Sequence, residues 1–156
     1  SAHVGVGPFI KSWDDGIVIG LMCLWMVAET RQSLTSYREE IETLIGKRLF
    51  YYRENIKLNR ELKTTASALI NHAKQEQHHE TSLEDLSITK RINALRPALK
   101  VREIITLDGL KMVFETGDWL CVRLSGTEDI ARLYTEVTDI TRSQLLRNVG
   151  RAILGL

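Results

Sequence analysis

Trp119-Leu120-Cys121-Val122-Arg123-Leu124-Ser125-Gly126-Thr127-Glu128-Asp129-Ile130-Ala131-Arg132-Leu133-Tyr134-Thr135-Glu136-Val137 reads as a strand, a loop of small residues and a returning strand. Side chains alternate across a strand, so Leu120, Val122 and Leu124 fall on one face and Trp119, Cys121 and Arg123 on the other. Between the strands, Ser125, Gly126 and Thr127 are small enough for a tight turn that aims backbone N–H groups and two hydroxyls at one anion. Arg123 ends the first strand and Arg132 stands early in the second, so two guanidiniums can grip that anion from two directions through charge-assisted hydrogen bonds. As spacing alone, a Ser-Gly-Thr turn beside an arginine also describes an ordinary loop that only closes a hairpin.

Outward from this hairpin, Val101 to Leu107 and Leu110 to Phe114 are two further candidate strands. Asp108-Gly109 suggests a two-residue turn between them, and Glu115-Thr116-Gly117-Asp118 supplies the next turn. Leu49 to Leu58 is rich in aromatic and branched residues and reads as another strand, followed by Asn59, a good helix cap. Leu62, Ala66, Leu69, Ile70 and Ala73 then form one helical face, which dissolves into Gln75-Glu76-Gln77-His78-His79-Glu80. Adjacent residues on a helix point roughly 100° apart, so the paired histidines read as a solvated helix end and not as metal ligands. Leu83, Leu86, Ile92, Leu95 and Leu99 suggest a further short helix ended near Pro97. Thr138 to Thr141 caps a last helix whose Leu145, Leu146, Val149 and Ile153 face the sheet. This order predicts an α+β fold, an antiparallel sheet of four to five strands with helices packed on one face.

The N-terminal third differs. From Ile17 to Thr30 apolar residues leave almost no polar face, a pattern that expects burial all round, with Asp14 or Asp15 as N-cap. A second helix begins near Ser33 to Ser36, where Ser36-Tyr37-Arg38-Glu39 has the spacing of a capping box, striped by Tyr37, Ile41, Leu44 and Ile45 and ended by Gly46. Lys47-Arg48 is the candidate hinge, which puts a domain boundary between residues 1–46 and 47–156. The helix must find a partner for its apolar surface, and the expected partner is a second copy of the chain, met through residues 17–27.

The 21 basic and 20 acidic residues leave a formal charge of +1, so no net field argues for nucleic acid or an anionic membrane surface. Cys23 and Cys121 lie far apart inside apolar runs, which favours buried thiols in a reducing compartment, the cytoplasm by default. The apolar run from Ile17 to Ala28 is too short to span a bilayer and lacks the features of a signal peptide.

Asp108-Gly109-Leu110-Lys111-Met112-Val113-Phe114-Glu115, Trp119 to Arg123, Ser125-Gly126-Thr127-Glu128 and Arg132-Leu133-Tyr134-Thr135-Glu136 together resemble the C-terminal domain of the α-D-phosphohexomutases, the phosphoglucomutase and phosphomannomutase enzymes. Leu124 and Asp129 depart from the family's wording, which has Pro or Ala at the first position and Pro at the second. Lys11 to Ile17 resembles the family segment that leads into the last long helix of domain three, and Ser1-Ala2-His3 resembles the tail of its sugar-selecting loop. The resemblance implies that Arg123, Ser125, Gly126, Thr127 and Arg132 hold the phosphate of a hexose phosphate, with Ser1 and His3 at the sugar. Residues 1–46 would be the end of domain three, residues 47–156 the phosphate-binding domain, and 77–99 an insertion. It further implies a parent that transfers phosphate between the 1- and 6-positions through a phosphoserine and a magnesium ion, both held by N-terminal domains this chain lacks. No catalytic residue and no metal ligand is expected here, so the chain alone should be inert. A stand-alone α+β module that binds a phosphorylated ligand without catalysis is the competing reading.

Overall fold

Strict alternation in the last strand of the sheet fixes which face is covered. Residues 16–78 and 81–156 are described by the computed structural model. In chain order the elements are α1 (Gly16–Thr30), α2 (Leu34–Ile45), β1 (Phe50–Lys57), α3 (Arg60–His78), α4 (Ser87–Leu95), β2 (Val101–Ile105), β3 (Leu110–Phe114), β4 (Trp119–Leu124), β5 (Ile130–Val137) and α5 (Ile140–Ile153). Along β5, Ala131, Leu133, Thr135 and Val137 are buried while the residues between them are partly exposed. The same face of β4 contributes Leu120 and Val122. These side chains join Leu110, Met112 and Phe114 of β3, Ala66 and Ala73 of α3, Ile88 and Ile92 of α4, and Leu146, Val149 and Ile153 of α5 in one core. Burying each large aliphatic side chain contributes about 1.5–3 kcal/mol, so this layer is the main source of stability.

The sheet has five strands in the order β1-β5-β4-β3-β2, and every neighbouring pair is antiparallel. The class is α+β, with the three helices α3 to α5 on one face, as the apolar alternation predicts. α5 comes close because residue 150 is glycine: a Cβ there would collide with the Leu133 side chain and lie 3.1 Å from that of Leu120. Its start is fixed by Asp139, whose side chain accepts from the Thr141 N–H at 2.9 Å. Asp118, in the β3–β4 turn, is only 2% exposed. It is satisfied by Arg142 Nη1 at 2.9 Å, the Thr138 N–H at 2.9 Å and the Thr116 hydroxyl at 2.9 Å, which ties that turn to the first turn of α5.

Several details differ from the sequence reading. The second strand stops at Ile105 instead of reaching Leu107, and Thr106 to Gly109 form the connection to β3, so the turn is longer than two residues. Gln77 draws that end of the strand toward α3: its side chain donates to the Ile104 carbonyl at 2.5 Å and accepts from the Thr106 hydroxyl at 2.6 Å. The segment read as an insertion is built into the core through Leu86, Ile88, Ile92 and Leu99. Glu76 of α3 anchors it by accepting from the backbone N–H and hydroxyl of Ser87.

The chain divides into one unit ending at Lys47 and another covering Arg48–Leu156. In the first, α2 begins earlier than the Ser36 capping box suggests. Ser33 is the N-cap, its hydroxyl accepting from the Ser36 N–H at 3.1 Å, and Ser36 lies inside the helix. Gly46 ends α2 at φ 65°, a left-handed conformation that suits glycine. The burial expected for α1 is not met among the described residues: none of the helix's residues is buried, and Leu21, Leu24 and Trp25 are largely exposed. Among the described residues no single helix is long and apolar enough to cross a membrane. Cys23 and Cys121 are both free and half-buried rather than buried. The caps proposed at Asp14 and Asp15, and the sugar-site residues Ser1 and His3, lie outside the described residues.

Candidate anion-binding site

Pairing between β4 and β5 places Arg123 directly opposite Arg132, with Leu124 opposite Ala131 at the mouth of the loop. Side chains of directly paired residues share a face, so both guanidiniums stand on the face away from the helices. That face also carries Trp119, Cys121 and Tyr134, and a shallow cavity of about 320 Å³ next to Arg123 is lined by these residues together with Lys111 and Asp108. Lys111 Nζ sits 4.3 Å from the Trp119 ring centroid, and the Trp119 indole N–H donates to Glu136 at 2.9 Å. Burial pushes the Cys121 thiol above its ordinary value, and Lys111 and Arg123 only partly oppose that, so it stays a protonated thiol at neutral pH.

The loop itself is held at its base and open at its tip. Ser125 donates its backbone N–H to the Ile130 carbonyl at 3.0 Å, and its buried hydroxyl accepts from the Glu128 N–H at 3.2 Å. Gly126 and Thr127 are exposed, and their N–H groups make no hydrogen bond among the described residues. Two successive unbonded amides at the end of a small-residue turn leave two donors open to an anion. The Ser125 hydroxyl thus helps to shape the turn as an acceptor, and its own O–H is not used in that bond.

Three cations around the loop have carboxylate partners. Arg123 Nε lies 3.2 Å from Asp108 Oδ2, Arg132 Nη2 lies 3.7 Å from Glu128 Oε2, and Lys63 Nζ lies 3.0 Å from Asp129 Oδ1. The first two pairs are partly solvated, so a more highly charged anion can replace the carboxylates at modest cost. Arg132 also keeps a buried Nε–H that finds no acceptor among the described residues.

Gly109 brings Asp108 to Arg123. It has φ 118°, and a Cβ there would lie 2.6 Å from the Val122 carbonyl oxygen and 3.2 Å from the Arg123 Cα. Sequence reading found Asp108-Gly109 as a turn but missed both its contact with Arg123 and the role of Lys63. The available signal was the left-handed preference of glycine, which marks a turn without saying what the turn touches. The negative charge that Asp129 brings to the loop is matched by Lys63. Among the described residues no three His, Cys, Asp or Glu side chains converge as a metal site would.

Residues 55–147 match the family model described as phosphoglucomutase/phosphomannomutase, C-terminal domain. A probable phosphoglucosamine mutase of Methanobrevibacter smithii is 38% identical over 47 residues, which is 30% of this chain and 11% of that protein. The chain thus matches only a small part of the length of that curated relative.

Proposed function

The chain belongs to the phosphoglucomutase/phosphomannomutase family through its C-terminal domain, and from that premise we propose that it is the C-terminal part of a phosphohexomutase and supplies the substrate phosphate-binding loop. The parent is an isomerase that moves phosphate between the 1- and 6-positions of a hexose phosphate. The observation that carries this reading is the juxtaposition of two facing arginines, Arg123 and Arg132, with a turn whose Gly126 and Thr127 N–H groups are unbonded.

In this reading Arg123 and Arg132 bind the phosphate that does not react, with Gly126 and Thr127 donating backbone N–H bonds and Thr127 its hydroxyl. Ser125 accepts from the Glu128 N–H, which holds the turn, and has its own O–H to donate to the phosphate. These contacts are remote from the reacting oxygen, so their binding energy orients the sugar phosphate for transfer. Ser1 and His3 are assigned to the sugar. The phosphoserine and magnesium belong to N-terminal domains of the parent; magnesium, where bound, supplies charge stabilisation to the transferring phosphoryl group. Partners are the hexose phosphate and those domains, with neither nucleic acid nor membrane, in the cytoplasm.

Steady-state kinetics of the full-length parent test this. Arg123→Ala should weaken sugar-phosphate binding by about 1.5–3 kcal/mol, raising KM by tenfold or more. An unchanged specificity constant would sink the assignment. This chain alone, given glucose 1-phosphate or mannose 1-phosphate with magnesium, should form no 6-phosphate, and turnover above blank from a preparation free of host mutase would contradict the division of labour.

A further inference from the structure

Among the described residues the anion loop is tied from outside the hairpin at two places, one by the end of β1 and one by α3. Its base is closed by the Ser125 N–H to Ile130 carbonyl bond and by the Glu128 N–H to Ser125 hydroxyl bond. The Leu58 N–H reaches the Asp129 carbonyl at 2.9 Å, from the end of the neighbouring strand β1. The remaining contact is made by a helix: Lys63, in the first turn of α3, donates to the Glu128 carbonyl at 2.9 Å and to Asp129 Oδ1 at 3.0 Å. The Lys63 side chain is 29% exposed while Asp129 is 73% exposed, so the lysine reaches out from the helix to hold the loop.

The geometry points to Lys63 as a positioning residue for the phosphate-binding loop, acting through Glu128 and Asp129 and not by touching the ligand. Two physical effects combine. Without the ammonium, the second limb of the loop loses both of its bonds to α3, and the open arrangement of Gly126 and Thr127 becomes one state among several. Apparent affinity then falls by the fraction of loops that remain competent. In addition, Asp129 would stand uncompensated beside an incoming dianion, and like charges at this range repel. A lysine that only stabilised the fold would change the melting temperature and leave the affinity of the folded protein alone. The inference rests on the reading that this loop binds phosphate.

The test is an NMR titration of the ¹⁵N-labelled chain with glucose 6-phosphate, following the Gly126 and Thr127 amides at a temperature where each variant is folded. Lys63→Met should weaken binding by about fivefold, and Lys63→Arg should restore most of the loss, because a guanidinium can still bridge carbonyl and carboxylate. Adding Asp129→Asn to Lys63→Met should recover the part that comes from repulsion. If Lys63→Met folds poorly, Lys63→Gln takes its place, since the amide keeps most of the side-chain bulk. Equal affinity for wild type and the Lys63 variant overturns the positioning role while leaving the phosphate reading intact. Absence of any loop shift in the wild type overturns the phosphate reading, and this inference falls with it.

Discussion

Replacing Gly109 with alanine strikes the point where the β2–β3 turn meets the strand that carries Arg123. Residue 109 has φ 118°, which costs a residue with a side chain about 1–3 kcal/mol. The new Cβ would also lie 2.6 Å from the Val122 carbonyl oxygen and 3.2 Å from the Arg123 Cα. Both are backbone atoms inside a paired strand and cannot swing aside, so the turn itself must move, with an overpacking cost of about 1–3 kcal/mol. The expected loss is about 3 kcal/mol in a urea titration followed by circular dichroism. Moving the turn also withdraws Asp108 from its 3.2 Å contact with Arg123, so the Arg123 amide should shift in an NMR spectrum of the variant. Gly126→Ala is the internal control. No atom lies within 4 Å of a Cβ at that position, and stability should change by less than about 0.5 kcal/mol. A Gly109→Ala loss below about 1 kcal/mol, with Arg123 unshifted, would refute the claim that this glycine seats the turn against the site.

Acid should weaken the start of α5. Hydrogen bonds from the Thr141 hydroxyl and N–H hold the Asp139 carboxyl below its ordinary value of 3.8, so its contribution is complete above that pH and is lost as pH falls through the lowered folded value. Urea midpoints measured from pH 5 to pH 2.5 should fall more steeply for the wild type than for Asp139→Asn, and parallel curves would argue against this linkage. Self-association through α1 is the other expectation. Leaving Leu24 and Trp25, 67% and 68% exposed, in water forgoes about 1.5–3 kcal/mol each. Light scattering at micromolar concentration should show an oligomer that Leu24→Glu with Trp25→Glu dissociates, and a monomeric wild type would contradict it.

What was legible in the sequence was whatever depends on local period. Leu110–Phe114, Trp119–Leu124 and Ile130–Val137 are strands with the bounds that their alternation suggests, because the covered face of the sheet repeats every second residue. The axial stripe of α3 was equally plain, with Ala66 and Ala73 at its buried centre. Local patterns that have two solutions misled. Ser36 and Glu39 fit a capping box, yet within the expected start at Ser33 to Ser36 it is Ser33 that takes the cap, its hydroxyl accepting from the Ser36 N–H at 3.1 Å. The sequence reading carries β2 through Thr106 and Leu107, but the strand stops at Ile105 and the Thr106 hydroxyl bonds to Gln77, 29 residues earlier. The support of the loop was invisible for the same reason: Lys63 and Glu128 are 65 residues apart, and no spacing rule connects them. Asp108 reaches Arg123 only because the sheet places β3 beside β4.

Chemical-shift mapping of the ¹⁵N-labelled chain with glucose 6-phosphate, run in parallel with unphosphorylated glucose, asks most directly whether the turn between β4 and β5 is a phosphate site. Saturable shifts should appear at the Gly126 and Thr127 amides and the Arg123 and Arg132 side chains with the phosphate ester only, and Arg123→Ala should remove most of them. Shifts of equal size with glucose, or shifts that spare Gly126 and Thr127, would mean that the loop closes a hairpin and does nothing more.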